Sequence, residues 1–382
     1  MIIVKHIIKN LRNHTSTELK FHKSLNIIYG LNGAGKTTIL ESIAISSLSK
    51  SFMPAPDMTL ISNDQDYYYI SSEANSDLNN PYRISINNKK GSRKQINSSI
   101  GDNLYPKDII GEMPVVILYP DNKSITFGSP GERRDFIDKL LSQASRIYMK
   151  SLMNYRKILR QRNNILSQIK AGYFNDWDQL NTWTEQLLTT ASELIIKRRD
   201  MIREFTPVFL DYYDKVAENS EKVGLKYVPD TLDDFPIDNN FTKNDILSIL
   251  IAKQKRLREE EHRRGVTLLG PQKDEIEIRV NGGVAKDYAS QGQHKSLLIA
   301  LKFAEFRYLK EARGETPIIL LDDIFSELDN SRSRQALQMV LETSAQAFIT
   351  ATEIDKMDVV LPISAECYKF FVDKGKVFKI NE

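Results

Sequence analysis

The chain is poor in cysteine and has no long apolar run. Its single cysteine, Cys367, cannot close an internal disulfide or build a cysteine-based zinc site. Uncharged apolar stretches such as 246–252 fall far short of the about 20 residues that a bilayer-spanning helix needs, so no membrane partner is expected. A signal-peptide core is also missing. Lys5 and His6 interrupt the apolar start, and no small-residue cleavage site follows. The expected address is therefore the reducing cytoplasm. Charge of one sign is not in excess either, because 53 Lys and Arg oppose 50 Asp and Glu for a net charge of +3. That balance neither announces nor forbids nucleic acid, since a local basic face disappears into the total. Low-complexity tracts and short-period repeats are absent, and 41% hydrophobic residues exclude collagen-like, mucin-like and wholly disordered classes.

What is present suits a folded protein of at least two units, because 382 residues exceed a single compact domain. Residues 2–9 and Leu25–Tyr29 read as strands, and the spacing of Ile39, Leu40, Ile43 and Ala44 predicts a helix over 36–49 with one buried face. Residues 58–100 have β character, with a hairpin loop at 87–91, and 115–118 is a short buried strand closed by Pro120. Helix formers dominate from Pro130 to His262, with breaks expected near Gly172, Pro207 and 228–240. β signals return from Thr267, followed by a long helix over 293–313 and a buried strand at 318–321. A helix near 334–342, a strand at 347–350 and a hairpin at Lys374-Gly375 complete the chain. The expected division is 1–125, a helical insertion at 126–264, and 265–382.

Gly30-Leu-Asn-Gly-Ala-Gly-Lys-Thr37 matches G-x-x-x-x-G-K-[ST], and it lies after a strand and before a helix, where that motif must lie. Phosphate oxygens need several N–H donors converging on one point. Gly30, Gly33 and Gly35 let the backbone wrap closely, and the following helix adds its positive end. Lys36 is placed to reach the β- and γ-phosphates, and the Thr37 hydroxyl to complete a Mg²⁺ shell. Leu31, Asn32, Ala34 and the following Thr38 belong to the same candidate nucleotide contact.

The strand Ile318-Ile-Leu-Leu ends in Asp322 and Asp323, at the end of an open α/β sheet where ligands bind. Asp322 is the natural second partner for Mg²⁺, and Asp323 can orient or polarise an attacking water. Lys36, Asp322 and Asp323 are the catalytic candidates, with Thr37 and Asp322 as metal ligands.

Ser290-Gln-Gly-Gln293, opening the long helix, is similar to the signature motif of ABC-type ATPases, and Ser326-Glu-Leu-Asp329 looks like their D-loop. The phosphate loop with Asn32 has the form found in SMC heads. The whole chain most resembles the RecF family of recombination mediators. The resemblance rests on Asn10-Leu-Arg-Asn13, Gly128-Ser-Pro-Gly-Glu-Arg-Arg134, Ile158-Leu-Arg-Gln-Arg-Asn163, Thr267-Leu-Leu-Gly-Pro271 and Leu320-Leu-Asp-Asp-Ile-Phe-Ser-Glu-Leu-Asp329. It departs at Gln272-Lys273, where His-Arg is usual, whereas Thr350 and Thr352, standing where ABC ATPases usually carry a histidine, are as in RecF relatives.

The resemblance implies an α/β fold: an ABC-type P-loop ATPase head, a mixed sheet with helices, carrying an inserted, mainly helical arm. It implies ATP and Mg²⁺ as cofactors, nucleotide contact from Arg12, and a homodimer formed on ATP. In that dimer Ser290, Gly292 and Gln293 cap the nucleotide in the partner's phosphate loop. Asp323, one methylene shorter than the glutamate of transporter ATPases, implies a weak ATPase. The implied role is replication and recombinational repair, including the SOS response. The implied partners are duplex, gapped or junction DNA (single strands more weakly) and RecR- and RecO-like mediators, with recombinase loading at gaps and DNA-stimulated hydrolysis.

In residues 148–169, Tyr148, Leu152, Tyr155, Ile158, Leu159, Ile165, Leu166 and Ile169 share one helical face, with Lys150, Arg156, Lys157 and Arg160 opposite. Arg162 falls inside the apolar arc, which calls for a partner carboxylate or a packing role. Further basic clusters at 197–203 and 253–264 are candidate DNA contacts, although a basic helix face is often simply solvated. No base-reading motif is evident, so backbone and junction shape are the expected targets. An OLD-type nuclease head would carry an extra C-terminal domain, for which too little chain follows Asp329. A transporter ATPase subunit would show a short insertion and the histidine switch.

Overall fold

The computed structural model describes residues 1–173, 176–217, 221–230, 240–326, 328–354, 361 and 366–380. It divides into two compact units: Met1–Asn122, Tyr212–Glu218 and Lys295–Glu382 in the first, and Lys123–Asp211 with Asn219–His294 in the second.

The first unit contains two sheets. One is a six-stranded sheet in the order Lys376–Ile380, Cys367–Asp373, Leu25–Tyr29, Ala347–Ala351, Ile318–Leu321, Val115–Leu118. Its neighbouring strands run parallel except for the edge hairpin of Cys367–Asp373 with Lys376–Ile380. Ile318–Leu321 and the edge strand Val115–Leu118 are unbroken apolar runs, and Ala347–Ala351 is buried along its whole length, because parallel strands are covered on both faces. The other is a five-stranded antiparallel sheet in the order His14–Lys20, Ile2–Leu11, Tyr67–Asn75, Pro81–Lys89, Gln95–Ser98. Alternation there turns Tyr68, Ile70, Ser72 and Ala74 inward. Asn87 and Asn88, expected in the hairpin loop, extend the strand and pair with Tyr69 and Tyr68, leaving Lys90-Gly91 in the turn.

The helix Lys36–Leu48 packs against strands of both sheets. It is therefore buried all round, not on the single face its spacing predicts. Its serines bond back to the helix itself. Ser42, Ser46 and Ser47 hydroxyls return to the carbonyls of Ile39, Ser42 and Ile43 at 2.7, 3.2 and 3.2 Å. His6, fully buried in the antiparallel sheet, spans Ser42 Oγ at 2.7 Å and Ser72 Oγ at 2.9 Å.

The second unit is mainly helical, with Pro130–Ala144, Arg146–Lys170, Trp177–Ala217 (its last residues in the first unit) and Lys243–Arg264. Pro207 does not break the chain as expected but lies inside Trp177–Ala217. A helix-interior proline costs about 3 kcal/mol. Phe205 and Phe209, both fully buried beside it, each return about 1.5–3 kcal/mol of apolar burial. Residues 265–294, read from the sequence with the C-terminal segment, fall in this unit. The reason is strand pairing, because Glu275–Val280 lies between Val223–Val228 and Gly283–Val284. Within the stretch 228–240, residues 231–239 lie outside the described residues. No helix among the described residues is long and apolar enough to cross a membrane.

Candidate functional site

Three neighbouring parallel strands end at one place. Leu25–Tyr29 leads into Gly30, Ile318–Leu321 leads into Asp322, and Ala347–Ala351 between them carries Thr350. This is the carboxyl edge of the sheet, where open α/β folds bind ligands. The strand order could not be read from the sequence, yet it sets the site. Gly30 is required at the first position because a Cβ there would lie 2.2 Å from the Val372 carbonyl oxygen, on the strand beyond.

The loop Gly30–Gly35 opens directly into the helix at Lys36. Leu31, Asn32 and Gly33 are exposed on its outer turn, whereas Gly30, Ala34, Lys36 and Thr38 are buried. Lys36 Nζ donates to the carbonyls of Gly30 at 2.7 Å and Leu31 at 3.0 Å. Desolvation pulls its pKa below the usual lysine value, against the attraction of Asp323 and Asp322. A buried ammonium inside a ring of backbone amides is a chemical match for a polyphosphate.

Thr37 Oγ1 donates to Asp322 at 2.9 and 3.0 Å, so the two sequence-predicted metal ligands meet across 285 positions of chain. Burial pushes the Asp322 carboxyl above its ordinary range, while bonds from Thr350 and Thr37 work against that shift. The Thr350 hydroxyl reaches Asp322 Oδ1 at 2.8 Å and accepts the Asp323 N–H at 2.8 Å. Asp323 itself adopts φ +50°. A hard divalent cation favours such an oxygen pair, one hydroxyl and one carboxylate, with phosphate and water oxygens completing its shell.

Arg12 stands at φ +50° with its guanidinium engaged by Glu41 on the loop helix, Nε to Oε2 at 2.5 Å and Nη2 to Oε1 at 2.9 Å. Glu41 is fully buried and also accepts from Ser51 at 2.5 Å. Sequence reasoning missed Glu41, and it missed His14 and Gly375, which touch the back of the loop through Gly35 and Ala34. These contacts have no local sequence signal because each joins distant segments.

In the second unit, Ser290 caps the helix Gln291–Arg313. Its Oγ accepts the Gln293 N–H at 3.2 Å, and Gln293 Oε1 accepts the Ser290 N–H at 2.5 Å. In this cap the Ser290 oxygen is an acceptor, which leaves its own proton for donation. Ser290 is exposed, Gly292 is half-buried, and Gln293 also donates to Glu221 at 2.6 Å. Of the D-loop, Asp329 caps Asn330–Glu342 by accepting the Arg332 N–H at 2.9 Å, and Glu327 lies outside the described residues.

The remaining motifs knit the second unit together. Arg133 forks onto Glu275 at 2.8 and 3.0 Å, and Arg134 donates to the Asp274 carbonyl at 2.7 Å. Arg162 has the partner carboxylate its position calls for. It meets Glu261 at 2.6 Å, with Thr184 and Thr267 at 2.9 and 2.8 Å. Gln272 accepts from the Tyr155 hydroxyl, and Lys273 donates to the Leu268 carbonyl at 2.8 Å. Two members of the basic cluster at 197–203 are corrected, while its Arg203 is exposed. Arg198 is buried between Asp138 and Asp274, and Arg199 donates to the Phe241 carbonyl and Asp200, so neither faces solvent. Lys150, Lys157, Arg160, Lys255, Arg256 and Arg258 are exposed.

The family model described as RecF/RecN/SMC N terminal domain matches residues 2–376. The chain is 34% identical over 357 residues to the DNA replication and repair protein RecF of Chloroherpeton thalassium, covering 92% of this chain and 95% of that one. It is 33% identical over 372 residues to the protein of the same name from Staphylococcus aureus, covering 97% and 98%. A solved structure of the recombination mediator protein RecF-ATP in the RecFOR pathway superposes with a TM-score of 0.89 at 26% identity, covering 100% of this chain and 98% of that one. An SmcHead bound to the C-winged helix domain of ScpA shares the fold, with a TM-score of 0.57 at 15% identity over 100% of this chain and 98% of that one.

Proposed function

The chain belongs to the RecF/RecN/SMC N-terminal domain family, an ABC-type ATPase head of RecF kind, and from that premise we propose an ATP-driven, DNA-binding dimer acting in DNA replication and repair. The observation that carries the reading is the Thr37–Asp322 contact at 2.9 and 3.0 Å, which joins the phosphate loop to the acidic strand in one site.

Lys36 swings from the Gly30 and Leu31 carbonyls onto the β- and γ-phosphates, exchanging two neutral acceptors for anionic ones. Thr37 and Asp322 would hold Mg²⁺, which when bound neutralises charge on the phosphate oxygens. Asp323 receives or orients the proton of the attacking water, while Arg12, steered by Glu41, adds positive charge beside the loop. Ser290, Gly292 and Gln293 act on the nucleotide of a second copy, with the Ser290 hydroxyl donating to the γ-phosphate. Exposed Lys150, Lys157, Arg160, Lys255, Arg256 and Arg258 offer the phosphate-contacting face for duplex or junction DNA. Slow DNA-stimulated hydrolysis, cytoplasmic action with RecO- and RecR-like mediators, and recombinase loading at gaps complete the proposal.

The test compares wild type with Lys36→Met. Without the ammonium, ATP affinity measured by calorimetry is expected to fall strongly. Gel filtration with ATP and duplex DNA is expected to show a dimer for wild type alone. Undiminished affinity in Lys36→Met would remove the reading.

A further inference from the structure

A phosphate loop works through its N–H groups, so its carbonyls must face the other way. In a trans peptide the C=O and N–H point in opposite directions, and holding a carbonyl from outside therefore aims the next residue's N–H inward. Three successive carbonyls of this loop are held in that manner. Asn13 Nδ2 donates to the Gly33 carbonyl at 3.2 Å and the Ala34 carbonyl at 2.9 Å. The Gly375 N–H adds a bond to the Ala34 carbonyl at 2.8 Å. His14 Nε2 lies 3.0 Å from the Gly35 carbonyl. The peptide planes so fixed carry the N–H groups of Ala34, Gly35 and Lys36. The Ala34 N–H is used inside the loop, on the Leu31 carbonyl at 3.2 Å. Gly35 and Lys36 carry the two planes aimed at a ligand.

His14 is fully buried, and its other ring nitrogen, Nδ1, is 2.9 Å from Thr17 Oγ1. A carbonyl oxygen only accepts, so Nε2 bears a proton. Burial holds the pKa of the ring below the ordinary histidine value, which leaves Nδ1 to accept from Thr17. Gly35 allows no slack. At φ +113° it adopts a backbone that glycine favours, and a Cβ there would lie 2.7 Å from both His14 Nε2 and Asn13 Oδ1.

We propose that His14 is a positioning residue for the triphosphate: its Nε2–H holds the Gly35 carbonyl and thereby points the Lys36 N–H at the bound phosphates. The inference rests on the nucleotide reading of the loop. His14 touches no substrate atom and acts through the backbone. As the N-cap of the helix Lys36–Leu48, Gly35 also gives its carbonyl to the first intrahelical bond, from the Ile39 N–H. Without His14 the Gly35–Lys36 peptide keeps that bond alone and loses its second anchor, a loss felt when ATP binds more than in the chemical step that follows.

Two substitutions separate the ring nitrogens, because a Gln amide reaches the place of Nε2 and an Asn amide only that of Nδ1. His14→Asn is expected to weaken ATP binding about tenfold by calorimetry, the worth of one neutral hydrogen bond, and to raise KM far more than it lowers kcat. His14→Gln is expected to restore the affinity to within about threefold, since it replaces the donor. If His14→Asn does not fold, as judged by its thermal midpoint without nucleotide, His14→Phe replaces it. Phe keeps the ring without the donor, and the same loss is expected. Equal affinities for the Asn (or Phe) and Gln variants, whether both strong or both weak, overturn the inference. Wild-type protein that binds no ATP removes the nucleotide reading and the clamp with it. Wild-type binding alongside an unimpaired His14→Asn removes the clamp alone.

Discussion

Thr350 supports Asp322 from the neighbouring strand, its hydroxyl donating to Oδ1 over 2.8 Å. Thr350 Oγ1 also accepts the Asp323 N–H at 2.8 Å, so one buried hydroxyl orients the carboxylate and fixes the backbone beside it. Thr352 stands just past the end of the strand Ala347–Ala351. Of the two threonines found where ABC ATPases carry histidine, Thr350 has both its donor and its acceptor capacity committed to the acidic pair.

Thr350→Val keeps the shape and removes both bonds. Losing a buried hydroxyl whose partners stay behind costs about 1–3 kcal/mol, which urea unfolding would register. ATP hydrolysis is expected to fall about tenfold, because Asp322 and Asp323 lose their alignment, with ATP affinity changed less than about threefold. Thr352→Val is the comparison and is expected to alter neither. Wild-type turnover in Thr350→Val would remove Thr350 from the site.

Asp323→Asn separates binding from hydrolysis. Lys36 acts on the triphosphate as bound, whereas Asp323 acts on the attacking water. The variant is therefore expected to bind ATP and dimerise, yet to lose about 10²-fold or more of turnover, a typical loss for a general base. Single-turnover measurement with saturating ATP checks it, and unchanged chemistry would reassign the water to another residue.

His6 gives the fold a pH signature. Its complete burial drags its pKa down to about 3, with a smaller contribution from His14. An unfolded histidine titrates near 6.5, so above that pH neither state is charged and stability is unaffected. Below it the unfolded chain takes up a proton that the folded chain refuses, and stability falls until the folded ring also protonates near 3. The slope is at most about 1.4 kcal/mol per pH unit. Urea unfolding of wild type and His6→Leu between pH 6 and pH 4 would read the difference, since slopes from carboxylates are common to both. Parallel curves would mean that His6 does not stay neutral in the folded state.

The sequence disclosed what is local and hid what is long-range. The glycines and lysine of the phosphate loop are contiguous, so their spacing alone placed the loop between strand and helix. The acidic pair was legible because four apolar residues announced a buried strand before it. The helix Lys36–Leu48 was misjudged, since packing between two sheets also buries Thr38, Glu41 and Ser42, which lie off the face shared by Ile39, Leu40, Ile43 and Ala44. Arg162 was half legible. Its place in an apolar arc demanded a partner, but only folding brings Glu261 to it at 2.6 Å. Arg198 and Arg199 misled for the opposite reason. A run of cations reads as surface, and their partners Asp138, Asp274 and Phe241 lie far along the chain.

The signature at Ser290 makes the last prediction, because its helix start belongs to a different unit from Lys36. If it serves a second copy, Ser290→Arg is expected to leave ATP binding by the monomer intact, since Lys36 and its loop are untouched. ATP-dependent dimerisation and hydrolysis are expected to vanish, because a bulky cation fills the space for the partner's phosphates. Mixing this variant with Lys36→Met sharpens the claim. A composite dimer has two sites, each joining one subunit's Lys36 to the other's Ser290. In the heterodimer both defects fall in one site and the other is whole, so the mixture is expected to recover part of the dimerisation that each variant lacks alone. A signature acting within its own chain would leave a defect in every site and allow no recovery. Analytical ultracentrifugation of each variant and of the mixture, at saturating ATP with Mg²⁺, decides between the two. A mixture without heterodimer would count against action in trans, and normal dimerisation of Ser290→Arg alone would remove its basis.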